Sequence, residues 1–275
     1  MTRTITHLFF YPVKSLQGIE IAHAFVTPRG LEFDRRWMII DSDGRFLSQR
    51  EIPELALFKI EQSDAGFIVR SGGSRAVIPK ALTHAEDTFK RSVEIWSDQL
   101  EAIVMPEEIN MFFSSVLQRE VTLVYMGDDQ IRNVDESYNR GLDMTSFSDG
   151  FPILLIGSAS LDELNKRLRN NGYSESLGWD RFRPNIVVQT SEPFEEDFWA
   201  SFFVNGIEFE VAKPCARCVI TTTNQQTGER SAEPLRTLAQ FRKVDQKVMF
   251  GQNILVGNQS GAISVNDKIE IRTRN

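Results

Sequence analysis

Short runs in which apolar and polar residues alternate recur along the chain, and this period-2 pattern is typical of half-buried β-strands. Clear examples are residues 19–26, 207–211 and 268–272. Other short strands are predicted at 3–11, 37–40, 56–61, 67–70, 75–79, 91–96, 121–126, 151–156 and 186–189. Regularly spaced short strands separated by turn residues indicate a barrel or sandwich, so the chain is predicted to be mainly β, of the α+β kind.

A few helical patterns interrupt the strands. Pro106 precedes an amphipathic run that predicts one helix, because proline is favoured in the first helical turn. Ser160 and Glu163 have the spacing of a capping box and predict a second helix, which Gly172 would end. A further helix is predicted after Pro234. These helices are expected to lie at the periphery of the strands.

Two stretches between these elements lead to further expectations. The turn residues 41–44 indicate a hairpin whose return strand would be 45–50. The polar stretch 127–148 is expected to cross the surface between two domains and to form a lid over a site.

Both cysteines of the chain lie in one short segment, as Cys215-x-x-Cys218. Pro214 cannot donate a ladder hydrogen bond, so regular strand pairing is expected to end just before the first cysteine. The β-branched run 219–223 predicts another strand after the second cysteine. The cysteines are therefore expected on a short connection between strands, with Arg217 beside them.

Four chemistries are compatible with this cysteine pair. A redox dithiol favours a helix N-terminus, whereas β-branched residues follow here. A structural zinc site needs four ligands, and the three histidines of the chain are distant in sequence. Both thiols could be small buried apolar residues. One thiolate could also act as a soft metal ligand or a sulfur carrier, with Arg217 favouring the anion.

Composition excludes several classes of protein. The 275 residues allow two domains, and 41% apolar with 25% charged residues is ordinary for a globular protein. No run approaches about 18 consecutive apolar residues and no signal peptide is visible, so no membrane association is expected. The net charge of −7 argues against nucleic-acid binding. A cysteine pair that is no disulfide framework suits a reducing cytoplasm.

Several basic or hydroxyl residues fall near the ends of predicted strands, where they could converge on an anion. They are Lys14, Ser15, Arg35, Arg50, Arg181, Arg183 and Arg217. Arginine suits bidentate recognition of phosphate, and lysine acts as a point charge. From the residues alone, each arginine could equally be a solvated surface charge.

The segment Pro214-Cys-Ala-Arg-Cys218 and the threonines after it resemble the signature of the MOSC domain, named for the C-terminal domain of molybdenum cofactor sulfurases. Further motifs of this domain resemble Arg181-Phe-Arg-Pro-Asn-Ile-Val187, Phe147-Ser-Asp-Gly-Phe-Pro152 and Phe250-Gly-Gln-Asn253. Tyr11-Pro-Val-Lys-Ser-Leu16 and residues 30–37 resemble the N-terminal β-barrel domain of one branch, which holds bacterial YcbX-like proteins and mitochondrial amidoxime-reducing components. The similarity covers nearly the whole chain.

The resemblance implies an N-terminal β-barrel-like domain at 1–95, a connecting helix and strand segment at 96–129, and a MOSC β-barrel with peripheral helices at 130–275. It also implies a molybdenum cofactor, a pterin with a phosphate and a dithiolene-bound molybdenum, held in the groove between the two domains. Pyridoxal phosphate is not expected, and the chain has no further cysteines for an iron–sulfur cluster.

By the same resemblance, Cys218 is the molybdenum ligand and the catalytic residue, and Cys215 is structural. The residues implied to bind the cofactor are Lys14, Ser15, Arg35, Arg50, Asp149, Arg181, Arg183, Asn185, Arg217 and Thr222. The implied activity is reduction of N-hydroxylated or N-oxide small molecules, with electrons from a separate reductase or ferredoxin-type protein. The alternative is a carrier of sulfur or of the cofactor that uses a Cys218 persulfide or thiolate. Asn253 stands where some relatives have an aromatic residue, so the substrate pocket does not transfer.

Overall fold

The computed structural model of the protein describes residues 3–80, 89–141 and 143–273. The strands in the first half are β1 (Arg3–Phe10), β2 (Ile19–Ile21), β3 (His23–Thr27), β4 (Gly30–Leu31), β5 (Trp37–Ile40), β6 (Lys59–Ser63), β7 (Gly66–Ser71), β8 (Ser74–Ile78), β9 (Lys90–Ile95), β10 (Asp98–Val104) and β11 (Thr122–Tyr125). Those in the second half are β12 (Ile153–Gly157), β13 (Ile186–Val188), β14 (Trp199–Val204), β15 (Ile207–Arg217), β16 (Lys243–Val244), β17 (Lys247–Leu255), β18 (Gly261–Ser264) and β19 (Lys268–Thr273). The helices are α1 (Glu107–Leu117), α2 (Ser158–Asn170) and α3 (Leu235–Ala239).

A closed barrel is the centre of the fold. Within the described residues, seven strands pair in the order β12, β13, β1, β19, β14, β15 and β17, and β17 pairs back to β12. Neighbours are antiparallel except for β12 and β13. Because β1 comes from the start of the chain, with Ile5 opposite Val188 and Arg3 opposite Ile269, the first strand completes a barrel built from the second half.

Smaller sheets pack beside this barrel. The order β5, β11, β10, β9 forms one sheet, β6, β7, β8 another, and β18, β3, β4 a third. Trp37 on β5 and Phe67 on β7 are fully buried and meet edge to face, with ring centroids 5.4 Å apart. Phe113 of α1 packs on Phe58 nearby. These aromatic contacts join the sheets of the first half into a common apolar core.

The mainly β prediction with peripheral helices is confirmed. The first strand and the helix after Pro106 lie where the pattern predicts them. The capping-box prediction is wrong, because α2 begins at Ser158 and the Ser160 hydroxyl instead donates to Glu196 at 2.8 Å. Among the described helices, none has both the length and the apolar character needed to cross a bilayer.

The expected strand break at Pro214 is wrong. β15 continues through Pro214 to Arg217, and irregularities in its pairing with β17 on both sides of the proline absorb the missing N–H. The strand predicted after Cys218 is also wrong, because Val219–Thr222 forms a 3-10 turn. The Thr221 hydroxyl and amide both donate to the Cys218 carbonyl, a local alternative that outweighs β-propensity.

Two expectations about loops hold only in part. The hairpin forms near its turn, where Phe46 bridges Ile40 antiparallel and the Leu47 amide donates to the Ile39 carbonyl, but residues 45–50 do not form a continuous return strand. The polar stretch 127–148 does not stay at the surface throughout. Arg132 is buried and its Nη1 donates to the carbonyls of Ser146 and Ser148, while Phe147 is fully buried. A buried guanidinium thus satisfies backbone carbonyls that a surface crossing would leave to water.

Candidate functional site

A cleft lies where the loop after β1, the loops before and after β5, the segment before β12 and the end of β15 meet. Its lining includes these residues predicted from the sequence: Lys14, Ser15, Arg35, Arg50, Asp149, Arg183, Asn185, Arg217 and Cys218. The cleft has a volume of about 190 Å³ and opens to solvent at its mouth. Residues far apart in the chain therefore converge on one place.

Both thiols line the cleft, but they have different surroundings. Cys215 lies within β15, where Arg217 Nη1 donates to its sulfur at 3.1 Å while Nη2 donates to the Phe182 carbonyl at 2.6 Å. Cys218 lies just beyond the strand, at the start of the 3-10 turn, and interacts electrostatically with Arg50. Both cysteines are free and half-buried. Arg217, expected to favour a thiolate, is thus the partner of Cys215.

Three charged groups of the cleft pair with one another, and one of them, Arg50, interacts with Cys218. Asp149 accepts from Lys14 Nζ at 2.5 Å through Oδ1 and from Arg50 Nη2 at 2.7 Å through Oδ2. Lys14 Nζ also donates to the Phe147 carbonyl at 2.9 Å. We call Lys14, Arg50, Asp149 and Cys218 the thiol-side cluster. Lys14 is 5% exposed and Asp149 is 53% exposed, so the cations are held inside and the carboxylate reaches the mouth of the cleft.

The charges of this cluster shift one another's titration. Burial lowers the pKa of Lys14 to about 8, although Asp149 opposes this shift. Burial also disfavours ionised Asp149, but Lys14 and Arg50 hold the pKa of that carboxyl well below its ordinary range. Burial alone would lower the pKa of Arg50, yet its interactions with Asp149 and Cys218 raise it. Because Asp149 is half exposed, solvent weakens these pairs relative to fully buried ones.

A second cluster at the cleft is a connected network around a tyrosine. The guanidinium groups of Arg35 and Arg183 lie 4.1 and 4.2 Å from the centroid of the Tyr11 ring. Arg35 Nη1 donates to Asp34 at 2.7 Å and to Asn185 at 3.1 Å. Asp34 in turn accepts from the Tyr11 amide at 2.8 Å. We call Tyr11, Asp34, Arg35, Arg183 and Asn185 the Tyr11 network.

Burial dominates the electrostatics of the Tyr11 network. It raises the pKa of Asp34 even though Arg35 is adjacent. It lowers the pKa of Arg183 to about 10, and the nearby charge of Arg35 adds to this shift. Burial also raises the pKa of Tyr11, whose hydroxyl donates to the Pro184 carbonyl at 3.0 Å. The network is therefore a buried structural assembly that fixes the arginine positions.

Three cleft residues have left-handed backbones. The φ angles of Ser15, Arg35 and Arg183 are 70°, 49° and 58°. This conformation is uncommon for residues other than glycine and persists where the surroundings enforce it, as at binding sites. Here the Tyr11 network supplies that enforcement for both arginines.

Arg181 and Thr222, also predicted to bind the cofactor, are not among the residues that line the cleft. Arg181 is buried, and its guanidinium donates to the carbonyls of Thr221 and Glu233. The Thr222 hydroxyl donates to the Val219 carbonyl at 2.7 Å. Both residues hold the turn that follows Cys218 and do not contribute to the lining of the cleft.

Sequence reasoning missed several residues of the site. Tyr11 and Asp34 lie inside the two N-terminal motifs, and these motifs were the signal that could have identified them. Trp96 stacks on Arg50 with 4.7 Å between the guanidinium carbon and the ring centroid. Because Trp96 lies on the turn between β9 and β10, distant in sequence from every motif, nothing in the pattern indicates its role.

Comparison with known proteins agrees with this architecture. The profile of the MOSC N-terminal beta barrel domain matches residues 2–120, and that of the MOSC domain matches residues 143–270. The chain is a MOSC-domain protein. It resembles the molybdenum cofactor sulfurase of Solanum lycopersicum, at 29% identity over 90% of this chain and 32% of that protein. It resembles the mitochondrial amidoxime reducing component 2 of Bos taurus, at 27% identity over 97% of this chain and 82% of that protein.

This MOSC-domain protein spans about a third of the length of the cofactor sulfurases that it matches. Among solved structures, the YuaD protein of Bacillus subtilis aligns over 100% of this chain and 98% of that chain, at 10% identity and a TM-score of 0.39. That likeness is too weak to support any inference. The family assignment therefore rests on the two domain profiles.

Proposed function

We propose that the cleft binds the molybdenum cofactor and that the protein reduces N-hydroxylated or N-oxide compounds with electrons from a separate reductase or ferredoxin-type protein. The observation that carries this proposal is the Cys218 thiol beside Arg50 in a cleft lined by cationic side chains. The relatives named amidoxime reducing components supply the reaction class.

The residues present fit such a cofactor. Arg50 Nη1 and Arg217 Nε are buried, belong to residues that line the cleft, and make no hydrogen bond within the described part of the chain. A buried guanidinium nitrogen without an acceptor costs free energy that an anionic ligand would recover. Thiolate suits a soft metal, and arginine and lysine suit a phosphate. The cleft thus offers a thiol and unused donors side by side.

Each side chain then has a distinct part. Cys218 would hold the metal, and Arg50 would stabilise its thiolate form. Lys14, Arg183 and the unpaired nitrogen of Arg217 would attract the phosphate and pterin, while Asp149 would accept from pterin N–H groups. The bound cofactor would supply the two-electron chemistry that cleaves an N–O bond. Arg181 and Thr222 would act indirectly, by fixing the turn after Cys218.

We extend the proposal to the domain arrangement. The cofactor would lie between a first domain at 1–95 and a MOSC domain at 130–275, with 96–129 connecting them. The strand β1 is the exception, because it completes the barrel of the second domain. This division is supported by the cleft lining, where Lys14, Arg35 and Arg50 come from the first range and Asp149 and Cys218 from the second. A reducing cytoplasm would keep both thiols free.

A second candidate is a carrier of sulfur or of the cofactor. Two observations favour it: the relatives named molybdenum cofactor sulfurases, and a second cleft thiol, Cys215, held by Arg217 at 3.1 Å. In a carrier, Cys218 would hold a persulfide or the cofactor without turnover of any N-hydroxy compound.

Turnover by cofactor-loaded protein separates the two candidates. With dithionite as the electron source, benzamidoxime should be converted to benzamidine, the N–O bond breaking as two electrons and two protons yield the amidine and water. The loaded Cys215→Ala variant should retain this activity. If the parent carries stoichiometric cofactor and gives no benzamidine, the reductase proposal is wrong and a persulfide assay on Cys218 becomes the test of the carrier.

A further inference from the structure

A second pocket lies on the other side of the segment that carries Asp149. It is formed by the turn between β3 and β4, the loop before β5, the end of β11 and four later residues, Asp128, Ile131, Met144 and Ser146. Its charged lining residues are Arg29, Arg36, Lys80, Glu32 and Asp128. None of these belongs to the cofactor cleft, so any ligand of this pocket would be additional to the cofactor.

The positive charges of this pocket lie deeper than the negative ones. Arg36 is 13% exposed, whereas its carboxylate partner Asp128 is 88% exposed and Glu32 is also exposed. Arg29 Nη2 donates to the carbonyls of Asp128 and Gln130, so its hydrogen bonds go to neutral acceptors. Burial lowers the pKa of Arg29, and the charge of Arg36 adds to the shift. Two guanidinium groups therefore lie close together, and Asp128, the carboxylate that pairs with Arg36, lies at the exposed rim.

An unpartnered hydroxyl points to the same conclusion independently. Ser146 lines the pocket and is 2% exposed, and its Oγ is buried without a hydrogen bond to any of the residues that the structure describes. Buried hydroxyl groups in folded proteins almost always have a partner, because leaving one unpaired costs about 1–3 kcal/mol. The Tyr125 hydroxyl, which accepts from Arg36 Nη2 at 3.0 Å, adds a polar group to the same wall.

The remaining walls are apolar and come from Leu31, Phe33, Ile131 and Met144. Ile131 is 64% exposed, a large apolar side chain left uncovered at the rim. We propose that this pocket is a second small-molecule site, which binds an organic anion by its carboxylate or phosphate against Arg29, Arg36 and Ser146 and by its apolar body against Phe33 and Met144. Arginines are the preferred partners of both oxyanions.

The two sites share one peptide segment. Ser146 faces the second pocket, and Ser148 and Asp149 face the cofactor cleft. Arg132 Nη1 donates to the carbonyls of both serines, and Lys14 Nζ donates to that of Phe147 between them. The segment is thus fixed on both sides, and the two ligands would be separated by its thickness.

Calorimetric titration of the full chain, free of cofactor, tests this site with three probes of similar body: benzoate, phenyl phosphate and neutral benzyl alcohol. We expect saturable binding of at least one anion with a dissociation constant below about 10 mM, and much weaker binding of the alcohol. Arg29→Gln should weaken the anion about tenfold or more, and Ser146→Ala about three- to tenfold, since each removes a direct donor. Arg75→Gln on the exposed strand β8 removes the same charge outside both pockets, so it is the matched control and should leave the affinity unchanged.

Four results would overturn the proposal. Benzyl alcohol binding as tightly as the anions would make the pocket merely apolar. Loss of anion binding in Arg50→Gln with retention in Arg29→Gln would locate the anion in the cofactor cleft. Unchanged affinity in Ser146→Ala, a variant that removes one oxygen and should fold normally, would mean that its hydroxyl does not contact the ligand. Absence of saturable binding of both anions would contradict the site altogether.

Discussion

Two clusters at the cleft, the Tyr11 network and the thiol-side cluster, contain similar cationic residues. They differ in how fully those residues are hydrogen-bonded. Within the five residues of the Tyr11 network, no buried side-chain nitrogen or oxygen lacks a hydrogen bond, and the arginines pack on an aromatic ring. In the thiol-side cluster, Arg50 Nη1 is buried without a partner and Lys14 carries a lowered pKa. The number of arginines therefore does not indicate where a ligand binds. Buried hydrogen-bond donors without an acceptor do indicate it, and Arg50 supplies one beside the Cys218 thiol.

The largest expected effect is on the stability of the protein when the Tyr11 network loses its carboxylate. Asp34→Ala should lower the free energy of unfolding by about 3–5 kcal/mol, because it leaves a buried guanidinium unpaired and the Tyr11 amide without its acceptor. Urea denaturation of the cofactor-free protein measures this change. Asp128→Ala is the matched control, since its carboxylate is 88% exposed, and it should cost less than about 1 kcal/mol. Equal losses in the two variants would contradict a structural role for the network.

The thiol-side cluster should respond in the opposite way. Arg50→Gln should change the free energy of unfolding by less than about 1 kcal/mol, because its partner Asp149 is half exposed. It should weaken cofactor retention about 10- to 100-fold, the effect of one lost charge-assisted hydrogen bond, measured as pterin released from purified protein. Arg75→Gln on exposed β8 removes the same charge at a distance and should change neither quantity. Full retention of cofactor in Arg50→Gln would contradict a cofactor-binding role for Arg50 in the thiol-side cluster.

A smaller effect of pH on cofactor affinity is expected from the thiol-side cluster. With its pKa lowered to about 8 by burial, Lys14 in the cofactor-free protein loses its charge as pH rises through that value. Affinity for an anionic cofactor should therefore be constant below pH 8 and fall above it, by at most about tenfold per pH unit for one linked proton. Lys14→Arg keeps the charge and should remove this fall. Equilibrium retention of cofactor at pH 7, 8 and 9 provides the measurement, and an identical fall in both proteins would contradict the assignment to Lys14.

Much of the architecture followed from the residues, because alternating runs and helix punctuation are local signals. The bounds of β1, β5 and α1 agree with their patterns to within a residue or two. The barrel closure did not follow, since the pairing of β1 with β13 and β19 depends on contacts between residues more than 150 positions apart in sequence. The turn after Cys218 was mispredicted because threonine hydroxyls bind nearby carbonyls instead of entering a sheet.

The sequence predicted which residues belong to the site better than it predicted what each residue does there. Motif positions led to Lys14, Arg35 and Cys218, which the fold brings to one cleft. The motifs could not distinguish Arg183, which lines the cleft, from Arg181, which holds the turn behind it. The direction of each side chain depends on the backbone conformation, which the sequence motif does not give. Nor could they assign Arg217 to Cys215, a pairing that depends on side-chain geometry at the end of β15.

The central claim is that Cys218, and not Cys215, is the thiol to which the metal binds. Metal analysis by mass spectrometry should be made on the parent, Cys218→Ala and Cys215→Ala, all produced in a host that synthesises molybdenum cofactor. The account predicts about one molybdenum per chain in the parent, almost none in Cys218→Ala, and retention in Cys215→Ala with reduced stability. Molybdenum in Cys218→Ala at the parent's level, or its loss in Cys215→Ala alone, would contradict it.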